Sequence, residues 1–290
     1  MKEELRDLVS RELALPVDPR VRAVADAIAR KHGAASRAVL FYGSCLREER
    51  LEGLMLDFYL IVSDYRAAYP QRWLAAANRL IPPNVFPFEH DGLAAKYAVL
   101  SERDFHRLCG PETRSVSVWA RFAQPSRLVW APDEQARSGV IEAVSRAAPT
   151  LLAAAGRIDH EPALDWWKRA FALTYSAELR AEKKQRGQSV VDADPARYER
   201  FSAPAIALVS DKAADKLRSS WGRRRIEGKM LSVLRLAKAS ATFAGGVDYI
   251  AWKINRHAGT KIGIQPWQRR WPLLAAITLL PRLLRSGAIR

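Results

Sequence analysis

AVLFYGSCLREERLEGLMLDFYLIVS, residues 38–63, holds two apolar runs joined by a charged loop. The first run ends in Gly43-Ser44, and the second carries one acid, Asp57, between Leu56 and Phe58. Short apolar runs bounded by turn residues read as buried strands. A glycine at such a turn lets backbone N–H groups approach a polyphosphate, and the Ser44 hydroxyl adds a donor. A lone carboxylate inside LMLDFYLIV is costly to bury without a metal or a donor beside it, so Asp57 reads as the ligand of a divalent cation. The plain alternative is a hairpin or βαβ start with a Gly-Ser turn, and the buried-looking acid weighs against it.

Composition sets the frame around this stretch. The chain has 290 residues, 49% of them hydrophobic, enough for a sizeable core and room for two domains. Its formal net charge is +16, and residues 221–290 hold fourteen Lys and Arg against Glu227 and Asp248. One basic end suits nucleic acid, anionic lipid or a polyphosphate, and the count alone does not choose among them. Cys45 and Cys109 are too few for a disulfide framework or a Cys-ligated zinc site, so the chain reads as cytosolic. The N-terminus has no apolar run of signal-peptide type, and Leu273–Leu280 is too short to span a membrane.

In chain order, residues 3–14 and 20–31 have helical spacing, and a helix over 65–80 stops at Pro82-Pro83. LAAKYAVL is a strand that carries Lys96, placed to neutralise phosphate charge or to face water at an edge. Arg121 lies on an apolar segment before a strand-like RLVWA, as a phosphate clamp or an exposed helix charge. Residues 134–155 form one helix and 163–185 a longer one, on which Tyr175 and Glu178 share a face, Glu178 as a second metal- or base-reading carboxylate or as a solvated charge on the helix flank. Residues 186–200 read as a loop, and 206–220 and 225–243 as helices. On the last, Arg235, Lys238 and Thr242 make a cationic stripe opposite Leu231, Leu234 and Ala237, either an anion site or a wet face. PWQRRWPLLAAITLLPRLLR, residues 266–285, has the apolar stripe, tryptophans and arginines of a helix lying in a membrane interface, or of a terminal helix docked on the protein's own core.

The strand, Gly-Ser turn and strand with acid resemble the opening of a nucleotidyltransferase site of the polymerase-β type. FYGS at 41–44, LDFYLIV at 56–62, KYAVLS at 96–101, the segment from Arg121 to Trp130, ALTYSAELR at 172–180 and the closing YIAWK occur in an order that resembles one family. That family is the phosphatidate cytidylyltransferases of the mitochondrial translocator assembly and maintenance type. The resemblance implies an α+β fold: a nucleotidyltransferase domain with a mixed sheet over 1–140, a helical, winged-helix-like domain over 141–262, and an amphipathic membrane-associating segment over 263–290. It implies transfer of CMP from CTP to phosphatidic acid, dependent on Mg²⁺, by a protein peripheral on the inner face of the cell membrane. Carried over residue by residue, Tyr42, Gly43 and Ser44 hold the triphosphate and Asp57 the metal. Lys96 and Glu178 join Asp57 as catalytic groups, and Arg121, Arg180, Arg235 and Lys238 bind the nucleotide or its phosphates. Two departures stand out. Tyr59 occupies the position of a customary second acid, and Ala98 replaces a glycine after Lys96-Tyr97.

The attacking group in that reaction is a phosphate monoester, anionic at neutral pH, so no strong base is required. A sparse site of one acid and several cations then suffices, because catalysis is positioning and charge neutralisation. CTP, phosphatidic acid and an anionic membrane are the expected partners, and no nucleic acid is. Two rival readings keep the fold: a nucleotidyltransferase acting on RNA or another acceptor, and a catalytically degenerate module that binds membrane or nucleic acid.

Overall fold

A computed structural model of the chain describes residues 1–46, 51, 53–177, 190–242 and 265–266, the side chains at 236, 237 and 239–242 excepted. Helix α1 (Lys2–Leu13) buries Leu5, Val9 and Leu13 at helical spacing. Helix α2 (Pro19–His32) opens on the Asp18 carboxylate, which accepts from the Arg20 amide, with Pro19 in the first turn. The two apolar runs become β1 (Ser36–Tyr42) and β2 (Leu56–Val62), antiparallel neighbours with Tyr42 opposite Asp57.

The helix expected over 65–80 is two helices, α3 (Tyr65–Ala68) and α4 (Arg72–Leu80). Pro70 restricts Tyr69 to extended backbone and breaks the run. A strand absent from the sequence reading follows, β3 (Asn84–His90), joined to β4 (Leu93–Ser101) through Asp91-Gly92, both at positive φ. That pair is the two-residue hairpin signal, and Pro87 inside NVFPFEH masked the strand before it. The conflict resolves because β3 is an edge strand, where a missing N–H costs least.

Beyond it come α5 (Glu102–Cys109), α6 (Ser117–Phe122), β5 (Ser126–Trp130) and α7 (Glu134–Ser145). Next are α8 (Ala147–Ala155) and α9 (Ala163–Ala177), so the expected 134–155 helix turns once, at Arg146. The chain continues with α10 (Pro195–Ile206), α11 (Asp211–Ser219) and α12 (Trp221–Thr242).

The sheet runs β3-β4-β2-β1-β5, with β2 and β4 parallel and the other neighbours antiparallel. The fold is therefore mixed α+β. Strand alternation divides its core in two. Val39, Phe41, Phe58, Leu60, Tyr97 and Val99 pack with α2, α3 and α4 on one face. Leu40, Tyr42, Tyr59, Ile61 and Leu100 share one continuous cluster with helices α1 and α5 to α11 on the other. Position 140/141, the expected domain boundary, lies within α7. Buried Arg197 of α10 fastens this side, with Nη2 donating to Glu12 Oε1 at 2.9 Å and Nη1 to the Ala123 carbonyl at 3.1 Å.

Helix α12 closes on the sheet with Arg235 and Lys238 inward. Gly228 crosses α9 so closely that a Cβ there would stand 2.3 Å from the Ala177 carbonyl oxygen. Ile226, Met230 and Leu234, one helical turn apart, face outward with 72%, 56% and 40% of their surface exposed. The amphipathic orientation is thus the reverse of a cationic wet face over a leucine core.

Candidate active site

Register builds the site. On the face covered by α1 and α5 to α11, Pro87, Lys96, Asp57, Tyr42 and Ser126 lie side by side across β3, β4, β2, β1 and β5. Because β2 and β4 are parallel and paired at Asp57 and Lys96, the acid and the cation share one face. Lys96 Nζ is 2.9 Å from Asp57 Oδ1, with both side chains mostly buried. This is a charge contact off the hydrogen-bonding direction, since Oδ1 has no aligned donor.

The glycine turn comes up against the same carboxylate. Gly43 has φ +100°, and a Cβ built on it would lie 3.0 Å from Asp57 Oδ2. Glycine is required here twice, by its backbone conformation and by the acid beside it. Ser44 follows at the start of a short 3₁₀ turn, Ser44–Leu46. The Arg121 guanidinium lies 4.7 Å from the centre of the Tyr42 ring. Burial pushes the Tyr42 hydroxyl well above its ordinary pKa; Arg121 opposes that shift and Asp57 adds to it.

The structure thus brings Tyr42, Gly43, Asp57, Lys96 and Arg121 together. Arg235 reaches α6 from α12: it donates to Ser117 Oγ and Ser115 Oγ at 2.9 Å and to the Pro82 carbonyl at 2.9 Å. Ser117 and Arg121 are one turn apart on α6, so Arg235 anchors the helix that presents Arg121. Lys238 reaches the Ile81 carbonyl instead. Burial, with Arg235 close by, lowers its pKa to about 7. Glu178 and Arg180 lie outside the described residues, as do Tyr249, Trp252 and Lys253, the side chain of Thr242, and the 263–290 segment apart from residues 265–266.

Tyr59, at the position of the customary second acid, packs its ring 5.2 Å from those of Tyr42 and Phe122. That position belongs to the aromatic core, as does buried Ala98, which pairs with Tyr59. The sequence reading passed over Ser126, whose Oγ is buried without a hydrogen-bond partner in the row beside Tyr42. Its signal was the alternation of SRLVW, which puts Ser126 on the face of Leu128.

A magnesium ion fits this donor set in one way. No three His, Cys, Asp or Glu side chains converge among the described residues. Asp57 Oδ1, buried with no aligned donor, has acceptor capacity for a cation, and Mg²⁺ commonly takes one or two carboxylates with phosphate oxygens and water completing its shell. No helix among the described residues is long and apolar enough to cross a membrane. Comparison with protein-family models and with curated proteins gave no match for this chain.

Proposed function

We propose that this protein transfers CMP from CTP to phosphatidic acid, forming CDP-diacylglycerol and releasing pyrophosphate. The observation that carries the reading is the row in which Asp57 lies 2.9 Å from Lys96 and against the Gly43 turn. An acid, a cation and a close backbone approach on one buried strand end are what a nucleoside triphosphate and its metal require. The resemblance of FYGS, LDFYLIV and KYAVLS to the phosphatidate cytidylyltransferases supplies the nucleotide and the acceptor.

In this reaction a phosphate oxygen of phosphatidic acid attacks the α-phosphorus of CTP. The bond from that phosphorus to the bridging oxygen breaks, and pyrophosphate leaves with the electron pair. The acceptor is already ionised, so none of the residues must remove a proton. Magnesium, held by Asp57, would neutralise charge on the triphosphate. Lys96 and Arg121 donate to phosphate oxygens, and Arg121 is kept in place by the Tyr42 ring and by the serine contacts of Arg235. Gly43 and Ser44 present the turn to the triphosphate, and Glu178, Arg180 and Lys238 complete the cationic and acidic surroundings. The 263–290 segment brings the protein to the anionic inner face of the membrane, where the acceptor resides.

The test is incubation of the full chain with CTP, Mg²⁺ and vesicles containing phosphatidic acid, measuring pyrophosphate and labelled lipid together. Asp57→Asn is expected to remove nearly all of both products while keeping the folded circular dichroism. Absence of labelled lipid from the unaltered protein, or transfer of the label to RNA instead, overturns the proposal.

A further inference from the structure

A pocket of about 390 Å³ opens where the start of α1 meets the α7–α8 junction and the turn between α10 and α11. Its volume lies at the lower end of the range of small-molecule sites. None of Tyr42, Gly43, Asp57, Lys96 or Arg121 lines it. Its floor is Thr150 and Ala153, both buried, and Pro111, Pro149 and Leu208 make apolar walls.

The charged groups at this pocket are unbalanced. Lys2 and Arg6 sit one turn apart on the same face of α1 and both line the opening. Like charges at that spacing repel each other and weaken the helix unless something anionic lies between them. Neither forms an ion pair with any acid among the described residues, and Glu142 is the one carboxylate in the lining. The third cation, Arg146, is fixed in place. Its Nη1 donates to the His106 carbonyl at 2.8 Å and to His106 Nδ1 at 2.7 Å, and its Nη2 pairs with Glu112. The His106 ring, held by this contact, lines the pocket beside Arg146.

We propose that this pocket binds a small amphipathic anion, a phosphate or carboxylate carrying a short hydrocarbon body. The anion meets Lys2 and Arg6, with His106 and the rigid Arg146 beside it, and the hydrocarbon lies on Pro111, Pro149 and Leu208. A guanidinium already held by three partners loses little freedom when a ligand arrives. The lining has no aromatic ring other than His106 on which a base could stack, which favours an alkyl phosphate or carboxylate over a nucleotide. The site stands apart from the Asp57 row and does not depend on the proposed transfer reaction.

The experiment is calorimetric titration of the full chain with hexyl phosphate, and in parallel with inorganic phosphate and hexanol. Hexyl phosphate is expected to bind one to one, at least tenfold tighter than either fragment. The Lys2→Glu, Arg6→Glu double variant, altered only at the rim, is expected to weaken it at least tenfold. Lys96→Ala is expected to leave it unchanged. No saturable binding overturns the proposal, and so does equal affinity for inorganic phosphate, which indicates an anion on a basic surface only. Loss of binding in Lys96→Ala with retention in the double variant also overturns it, since the anion would then sit in the Asp57 row.

Discussion

Replacing Gly43 by alanine tests two features of the site at once. At φ +100° an L-residue is strained whatever the space around it, at a cost of about 1–3 kcal/mol. The added Cβ also arrives 3.0 Å from Asp57 Oδ2, so the carboxylate must retreat by a few tenths of an ångström. Asp57 is flanked by Lys96 on the neighbouring strand, and a retreat there changes the 2.9 Å charge contact. Equilibrium unfolding in urea is expected to show a loss of about 1–3 kcal/mol. Turnover is expected to fall by roughly tenfold or more, because a 1 Å misplacement costs on the order of 100-fold. The steric part is separable from the strain. In an Asp57→Ala background the oxygen is gone, so Gly43→Ala there should cost less, the difference being the coupling between the two positions. Such coupling runs from about 0.5 to 3 kcal/mol for residues in contact. Two equal costs in the cycle, or a Gly43→Ala protein as stable and active as the parent, refute the claimed approach of turn and acid.

Lys96→Ala and Ser44→Ala are each expected to lower turnover by about 10- to 1,000-fold, the range for one lost transition-state donor; wild-type steady-state kinetics in both would move the triphosphate elsewhere. Glu12→Gln leaves Arg197 charged and buried, at a cost of about 3–5 kcal/mol in urea unfolding. Adding Arg197→Met should recover much of that loss, and failure to recover would mean the pair is not what holds α1 to α10. For Lys238, the folded pKa of about 7 lies below the unfolded value of 10.5. Between those two pH values the unfolded chain carries the proton and the native protein does not, so stability from this group rises with pH. Below pH 7 the cost of the buried ammonium is fully present. Lys238→Met is expected to flatten that rise, and an unchanged stability profile from pH 6 to 10 would count against the buried position.

The centre of the site was legible because two local signals agreed there. The apolar runs fixed strand positions, and the single acid inside one of them fixed a face; parallel pairing with β4 then determined that Lys96 shared it. The pairing itself was not written locally, since strands 56–62 and 93–101 are joined through two helices and an edge strand. Pro87 argued against β3 by propensity, and the edge position removed the objection. Helix α12 shows the opposite limit. Its spacing left the Arg235 and Lys238 stripe as either an anion site or a wet face, and the inward contacts of both side chains remove the wet face. The carbonyls of Ile81 and Pro82 and the hydroxyls of Ser115 and Ser117 supply inward partners that no window around residue 235 contains. Ser126 was missed for a related reason: a small hydroxyl at a strand start has no compositional signal until its neighbour Tyr42 is known.

The contact of α12 with β3 also bears on how the protein is made. Edge strand β3 is followed by its partner β4 almost at once, but the Arg235 contact to Pro82 closes a loop of 153 residues. At roughly 5–20 residues per second of synthesis, that interval lasts about 8–30 s. Throughout it the growing chain carries a sheet whose outer strand has Pro87 and no C-terminal helix against it. Exposed strand edges invite pairing with other chains. Pro87, which has no N–H to donate to an incoming strand, works against such pairing before α12 has been synthesised.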